Sequence, residues 1–205
     1  GFGNLILRTR AELDLRHQGD VEDFFESERP EYVFLVAARV GGIGAHLAAP
    51  AEFLHDNLAI QNNVIHAAWK YGAKKLLFVG SSAVYPRDAP QPLREDSLLT
   101  GPLEPSVEPY ALAKIAGLKL INAIAVNPTN LYGPGDRFEA EHAHVLAALL
   151  RRFTEAAASN APEVVVWGTG NARREFLHID DFGDALIFLM QNYDDPDFLN
   201  LGTGS

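Results

Sequence analysis

Short aliphatic runs that alternate with longer stretches of helical periodicity are the feature that most limits how this sequence can fold. The predicted strands are Leu5–Leu7, Tyr32–Val36, Lys75–Val79, Val164–Trp167 and Phe198–Leu201. The predicted helices are Asp20–Glu28, Pro50–Tyr71, Pro109–Ile121, Val145–Ala157 and Asp180–Met190. Because strands that alternate with helices form parallel βαβ units, the sequence predicts an α/β fold with a doubly wound parallel sheet of the Rossmann type.

The composition excludes several classes of protein. The chain has 205 residues, a net charge of −10 and no cysteine, so disulfide scaffolds, thiolate zinc sites and cysteine nucleophiles are ruled out. Its acidity argues against nucleic acid or an anionic membrane as the main partner. The longest apolar run, Tyr32 to Ala38, is far short of the ~20 residues of a membrane helix. With no secretory signal at its start, we expect a cytoplasmic protein.

Two places in the sequence are shorter than this fold requires. A doubly wound nucleotide-binding sheet begins with a strand and a glycine-rich turn, but neither precedes Leu5. The stretch from Lys114 to Pro128 is also too short for a complete helix, a turn and a strand. We therefore expect residues to be missing from the sequence at both places.

Tyr110 and Lys114 form the pair with the clearest chemical meaning. Residues i and i+4 of a helix share one face, and a nearby ammonium lowers the pKa of a phenol so that it can exchange a proton with a carbonyl. Ser81 lies just after the predicted strand Lys75–Val79, at the sheet edge where ligands bind. Tyr71 and Lys75 have the same spacing, but Gly72 separates a helix end from a strand there, so we interpret that pair as a decoy.

Gly80-Ser81-Ser82 with Tyr85-Pro86, followed by Tyr110-Ala-Leu-Ala-Lys114, resembles the extended short-chain dehydrogenase/reductases that act on nucleotide sugars. Within that family the chain is most similar to the 3,5-epimerase/4-reductases of GDP-4-keto-6-deoxymannose. The segments that carry the similarity run in order along nearly the whole chain, at residues 7–13, 37–43, 128–134, 144–153, 164–168 and 174–178. The resemblance implies an NADPH-dependent enzyme that makes GDP-L-fucose.

The resemblance also implies a role for individual residues. Tyr110 matches the catalytic acid, Lys114 its partner that also holds the nicotinamide ribose, and Ser81 the hydroxyl that binds the keto oxygen. His144 matches an acid or base of the epimerisation. His142 is two residues from His144, a spacing that does not place both on one helical face, so we expect no metal site.

The cofactor and the GDP-sugar are assigned in the same way. Arginine after the second strand of such a sheet suits the 2′-phosphate of NADPH better than the 2′-hydroxyl of NAD. The expected cofactor-binding residues are Arg8, Arg10, Asp14, Ala37, Lys114 and Asn130. The expected substrate-binding residues are Arg152, Trp167 and Arg174, because arginine forks suit diphosphate oxygens and an indole offers a flat apolar face.

The resemblance further implies how the chain is divided. We expect residues 1–134 to form the NADP-binding domain, 135–178 to be mainly a small substrate-binding portion, and 179–205 to return to the first domain. The helices at Pro50–Tyr71 and Pro109–Ile121 resemble those that form the four-helix bundle of a homodimer.

Ala83 is a departure from the family, which carries a cysteine at this position to work with the histidine in epimerisation. Because a methyl group has no titratable proton, the sequence predicts slow exchange of ring protons and an intact reduction. The alternatives are a reductase that does not epimerise, a 4-epimerase or 4,6-dehydratase, and a non-enzymatic module that binds nucleotide sugars. Ser82-Ala83-Val84 lacks the acidic pair that a dehydratase would need, and intact Ser81, Tyr110 and Lys114 argue against the binding module.

Overall fold

The computed structural model describes residues 2–121, 123–139, 143–166 and 168–204. In this part of the chain six α-helices and six β-strands follow one another. The helices are α1 (Gln18–Glu28), α2 (Ile43–Ala48), α3 (Pro50–Lys70), α4 (Glu108–Leu120), α5 (Val145–Ala158) and α6 (Ile179–Asn192). The strands are β1 (Tyr32–Leu35), β2 (Lys75–Val79), β3 (Ile124–Pro128), β4 (Asn130–Tyr132), β5 (Phe176–His178) and β6 (Leu199–Leu201).

Four of the strands form a parallel sheet in the order β1-β2-β3-β6. Leu35 pairs with Phe78, Val79 with Val126, and Pro128 with Leu201. Strands β4 and β5 form a separate parallel pair. All strands of the main sheet therefore end at one edge, and the segments that follow β1, β2 and β3 meet there.

The strands of the main sheet bury side chains on both faces. On β2, Leu76 and Phe78 pack toward α1, α3 and α4, whereas Leu77 and Val79 pack toward α6. This division follows from the two-residue period of a strand, and it explains why β2 is a continuous aliphatic run. Helices cover both faces, so the predicted doubly wound α/β fold is confirmed.

All five predicted helices are present, and their ends agree with the prediction to within two residues. Two predicted strands are wrong. Residues 5–7 form no strand, since none of the described residues pairs with them and 76% of Leu7 faces solvent. Described residues 164–166 of the predicted strand Val164–Trp167 are also irregular, and Val165 is exposed. An aliphatic run becomes a strand only where a neighbour satisfies its backbone groups.

The stretch Lys114–Pro128 does accommodate the end of a helix, a turn and a strand, whereas the expectation that residues are missing there stays a prediction. Helix α4 ends at Leu120 and β3 begins at Ile124, so residues 121–123 alone connect the two. Strands β3, β4 and β5 and helix α2 were not predicted. Each is short, and the strand β3 has an asparagine and a proline at its end that hide its pattern.

The long segment between β2 and α4 is anchored to the sheet. The carboxylate of Glu95 accepts a hydrogen bond of 2.8 Å from the backbone N–H of Asn200 on β6. The amide of Asn200 in turn donates to the carbonyl of Leu93 at 3.1 Å, and Leu103 is buried. Among the described residues, no helix is long and apolar enough to cross a membrane.

Gly117 allows α4 to lie directly against the sheet. A Cβ atom at this position would come within 2.6 Å of Cζ of buried Phe78 and within 2.8 Å of Oε1 of Gln61. We expect Gly117→Ala to lower the free energy of unfolding by about 1–3 kcal/mol, because neither neighbour has room to move. Equilibrium unfolding in urea measures the change.

Gly183→Ala on α6 is the matched control, because a Cβ atom there meets nothing within 4 Å. Alanine is the better helix former, so this variant is expected to be up to about 1 kcal/mol more stable than the wild type. If Gly117→Ala were as stable as Gly183→Ala, the contact between α4 and β2 would be too loose to exclude a methyl group.

Candidate active site

Ser81, Tyr110 and Lys114 meet at the carboxyl end of β2. Ser81 follows the strand after Gly80, and α4 carries Tyr110 and Lys114 on consecutive turns above it. The Ser81 side chain lies close enough to the Tyr110 hydroxyl to act on its pKa. Nζ of Lys114 donates a hydrogen bond of 2.7 Å to the carbonyl of Val79, the last residue of β2. Residues predicted from sequence spacing are thus brought together by one strand end and one helix.

Asn127 on β3 fixes the backbone at Ser81. Its Oδ1 accepts a hydrogen bond of 3.1 Å from the Ser81 N–H, and its Nδ2 donates to the Tyr85 hydroxyl at 3.3 Å. A Cβ atom on Gly80 would collide with this Oδ1, so only glycine fits there. Sequence reasoning missed Asn127. The sequence signal for it was a polar amide directly after the apolar run Ile124–Val126. The structure buries this amide, and buried amides form hydrogen bonds.

The buried setting shifts both titratable groups of the pair toward their neutral forms. Burial raises the pKa of Tyr110 to about 12, and the Ser81 side chain only partly opposes this shift. Burial also lowers the pKa of Lys114 to about 8, because just 3% of this residue is exposed. The predicted lowering of the Tyr110 pKa by the ammonium is therefore wrong for this structure. Here the cost of burying a charge is the largest cause of both shifts.

His46 is a member of this cluster that sequence reasoning missed. It lies on α2, between β1 and α3, and its ring is 5.3 Å from the Tyr110 ring between centroids. Phe53 of α3 packs on His46 at 3.9 Å and on Tyr110 at 6.5 Å between ring centroids, so the three rings contact one another. The only sequence signal was a lone histidine after the pair Gly41-Gly42.

The residues predicted for the cofactor lie around the same sheet edge and on the segment before α1. Ala37 follows β1 and is exposed, and Asn130 begins β4, where its amide donates to the carbonyl of Glu175 at 3.0 Å. Arg8 is exposed and pairs with Glu28 at 2.5 Å. Arg10 lies 3.8 Å from the carboxylate of Asp14.

Asp14 is held by a neighbouring arginine. Arg16 Nη2 contacts its carboxylate at 2.6 Å, and hydrogen bonds from Arg16 lower the pKa of Asp14 well below its usual range. Arg16 also reaches Asp56 of α3 at 3.3 Å. The Asp14 carboxylate is therefore ionised at neutral pH and fixed in position.

The residues predicted for the sugar nucleotide lie on and after α5. His144 is the residue before α5 and is exposed, and the guanidinium of Arg152 donates to the carbonyl of Val165. Arg174 is exposed just before β5 and donates to the Arg173 carbonyl at 2.9 Å. Trp167 and His142 lie outside the described residues. In the part of the chain that the structure describes, no three histidine or acidic side chains are grouped to hold a metal ion.

The decoy pair is separated as predicted. Tyr71 caps the end of α3, where the Arg29 guanidinium lies 5.0 Å from its ring, and Lys75 begins β2. Nζ of Lys75 pairs with Asp194 at 2.7 Å.

The cluster at the end of β2 can bind and protonate a carbonyl oxygen. Two hydroxyl groups, on Ser81 and Tyr110, lie side by side, and the ammonium of Lys114 lies 5.9 Å from the Tyr110 ring. Hydroxyl donors stabilise the negative charge that grows on a carbonyl oxygen when its carbon is reduced. A nearby ammonium then stabilises the phenolate left by proton transfer.

Comparison with known proteins identifies the family. The sequence profile of the NAD dependent epimerase/dehydratase family matches residues 3–202 of this chain. The chain belongs to this family. An Arabidopsis thaliana relative, named putative GDP-L-fucose synthase 2, is 57% identical over 213 residues. That alignment covers 100% of this chain, which spans 65% of the length of the relative.

Solved structures of epimerase/dehydratase relatives share the fold. A GDP-6-OMe-4-keto-L-xylo-heptose reductase from Campylobacter jejuni superposes with a TM-score of 0.90 at 38% identity, covering 100% of this chain and 72% of that one. A GDP-L-fucose synthetase from Naegleria fowleri bound to NADP superposes with a TM-score of 0.85 at 31% identity, covering 96% and 67%. The predicted resemblance to nucleotide-sugar epimerase/reductases is thereby confirmed.

The shifted pKa of Lys114 makes the stability of this epimerase/dehydratase family member depend on pH. Above pH 8 the folded lysine releases a proton that the unfolded lysine, with an ordinary pKa of 10.5, still binds. The free energy of unfolding is therefore expected to rise between pH 8 and 10, by up to about 1.4 kcal/mol per pH unit. Urea unfolding at pH 7.5 and 9.5 measures this rise.

Lys114→Met should abolish this part of the rise, while Lys119→Met, at an exposed position on the same helix, should retain it. The comparison stays below pH 10, because the raised pKa of Tyr110 makes stability fall above that pH. Equal pH profiles for the two variants would contradict the burial of the Lys114 ammonium.

Proposed function

We propose that this chain performs the NADPH-dependent reduction of a GDP-4-keto sugar, as part of the epimerisation and reduction that converts GDP-4-keto-6-deoxymannose to GDP-L-fucose. The observation that carries the proposal is the meeting of Ser81, Tyr110 and Lys114 at the carboxyl edge of a parallel sheet. The Arabidopsis relative is named a putative GDP-L-fucose synthase, which supports this substrate. The Naegleria synthetase is bound to NADP, which supports this cofactor.

In this proposal Tyr110 is the acid that protonates the C4 oxygen, and Ser81 donates a hydrogen bond to the same oxygen. The raised pKa of Tyr110 keeps its hydroxyl protonated at neutral pH. This proton is then available when negative charge develops on the C4 oxygen. Lys114 stabilises the phenolate that remains. NADPH, when bound, would supply the hydride.

The residues at the sheet edge fit a nicotinamide dinucleotide. Ala37 follows β1 with a side chain too small to block the edge, and the buried ammonium of Lys114 lies beside Tyr110 where a ribose hydroxyl needs a donor. We propose that Arg8 and Arg10 bind the 2′-phosphate and that Asp14 and Asn130 complete the cofactor site. The exposed guanidinium groups before α1 support the choice of NADPH over NADH.

We propose that Arg152, Trp167 and Arg174 hold the GDP group and that His144 moves protons at the sugar ring. Residues 1–134 and 179–205 would then form the cofactor domain and 135–178 mainly the substrate portion. In support, the main sheet is built from the first and last of these stretches, and α5 lies in the middle one.

We further propose a cytoplasmic homodimer, without membrane or nucleic acid as a partner. Helices α3 and α4 pack together, and α4 leaves Leu112 and Leu120 exposed. An apolar surface on a helix pair suits a bundle between two copies of the chain.

A reductase that does not epimerise is the second candidate. It is favoured by the similarity to the Campylobacter heptose reductase and by the methyl group of Ala83 beside Ser81. Incubation with GDP-4-keto-6-deoxymannose and NADPH, followed by NMR of the product, distinguishes the two. Inverted C3 and C5 identify the epimerase/reductase, and retained configuration identifies the reductase.

Replacing Tyr110 by phenylalanine tests the proposed acid. Tyr110→Phe should lower the rate of NADPH oxidation by about 10²–10⁴-fold, since it removes the proton donor and leaves the ring packing in place. Tyr71→Phe is the control and should retain the wild-type rate. If Tyr110→Phe kept more than about a tenth of the wild-type rate, another group would be the acid.

The proposed phosphate contacts are tested by replacing both arginines. Arg8→Ala combined with Arg10→Ala should weaken NADPH binding by roughly tenfold or more for each charged hydrogen bond lost. NADH binding should hardly change, because NADH has no 2′-phosphate. Arg94→Ala, at an exposed position far along the chain, is the control. Isothermal titration calorimetry measures the dissociation constants of NADPH and NADH for each variant. If the double variant lost affinity for both cofactors equally, these arginines would be excluded from the phosphate site.

A further inference from the structure

His46 occupies an unusual position for a histidine. Only 6% of it is exposed, and its ring packs against both Phe53 and Tyr110, whose rings also contact each other at 6.5 Å between centroids. The Arg39 guanidinium lies on Phe53 at 5.2 Å and pairs with Asp56 at 2.9 Å. The Phe53 ring therefore links this ion pair both to His46 and to the tyrosine at the candidate active site.

Nδ1 of His46 is buried and has no hydrogen-bond partner among the described residues. Leaving such a polar atom unsatisfied costs stability, so a buried atom without a partner calls for a ligand or a function. Phenylalanine would fill the same space without this penalty. The imidazole thus offers a nitrogen that the fold itself does not use.

The surroundings of His46 favour its neutral form. Burial lowers its pKa, the nearby backbone of Gly41 opposes this shift, and the charge of His144 lowers the pKa again. The last effect shows that His144, on the residue before α5, lies within electrostatic reach. The two imidazoles therefore lie near one another at the candidate active site.

The proposed epimerisation needs such a pair. Inverting a carbon next to a ketone requires a base that removes its proton on one face and an acid that returns a proton on the other. Tyr110 and Ser81 are engaged with the keto oxygen in the proposed function, and Ala83 offers no titratable group. Two groups that exchange protons near neutral pH are required, and imidazole has this property.

We propose that His46 is a second proton-transferring residue of this site and works together with His144 on the ring carbons beside the keto group. This inference rests on the proposed function. One neutral imidazole takes the proton, and the electron pair of the C–H bond forms the C=C bond of an enolate whose oxygen is held by Ser81 and Tyr110. The other imidazole, which is protonated, gives its proton to the opposite face as the C=O bond re-forms. One proton is taken and one returned, so no oxidant or reductant is needed.

Deuterium exchange separates this role from packing. The purified protein is incubated with GDP-4-keto-6-deoxymannose in D2O without NADPH, and deuterium at C3 and C5 is followed by NMR. His46→Phe keeps the aromatic packing against Phe53 and Tyr110 but has no nitrogen, and we expect it to lower exchange by about 10²–10⁴-fold. His46→Gln, which keeps a polar group but no titratable one, should behave in the same way. His66→Phe on the exposed face of α3 is the control.

The second readout is NADPH oxidation with a GDP-4-keto sugar that already has the C3 and C5 configuration of the product. His46→Phe should reduce this sugar within a few-fold of the wild-type rate, because hydride transfer and protonation of the C4 oxygen do not use His46. If exchange and reduction fell together, His46 would only position Tyr110, and the inference would be overturned. Undiminished exchange in His46→Phe would overturn it as well.

Ala83→Cys provides the opposite test. If the wild type exchanged as slowly as His46→Phe and Ala83→Cys raised exchange strongly, His46 would not be the second group. If the wild type exchanged rapidly, the slow exchange predicted from Ala83 would be wrong, and loss of exchange in His46→Phe would support His46. Failure to reduce any GDP-4-keto sugar would instead contradict the proposed function, which the exchange assay without NADPH does not test.

Discussion

The close approach of α4 to β2 at Gly117 determines where the candidate active site lies. Because no side chain intervenes, Phe78 and the helix backbone are in direct contact, and Tyr110 and Lys114 are held above the end of the strand. The hydrogen bond from Lys114 to the Val79 carbonyl joins the helix to the strand end. On the other side, Asn127 holds Ser81 through its backbone N–H. Two adjacent strands and one helix therefore fix the positions of these three residues.

Burial then sets the chemistry of these side chains. A charged lysine or a phenolate is costly in this environment, so the pKa of Lys114 falls to about 8 and that of Tyr110 rises to about 12. A tyrosine that keeps its proton suits the role of an acid better than that of a base. The electrostatic attraction between a phenolate and an ammonium becomes important only when the tyrosine has given up its proton, which is the step the site is proposed to perform.

The short helix α2 contributes His46, whose position is not explained by stability alone. It packs an imidazole against two aromatic rings, one of which belongs to the proposed acid, and leaves Nδ1 without a partner among the described residues. A fold selected only for stability would satisfy or replace that nitrogen. The same short segment, between β1 and α3, also carries Arg39, which pairs with Asp56. Aromatic packing, an ion pair and the proposed proton transfer thus all involve residues of this one segment.

The sequence by itself determined the fold class, the five longer helices and the Tyr110–Lys114 pair, because helical periodicity and i,i+4 spacing are local properties. It also separated the Tyr71–Lys75 decoy, since a glycine between helix and strand is visible in the sequence. Only the tertiary structure decided that residues 5–7 are not a strand, because strand formation depends on a neighbour elsewhere in the chain. It also decided the direction of the Tyr110 pKa shift and the burial of His46. Both depend on how many atoms from distant segments surround a group, and local sequence spacing carries no measure of that burial.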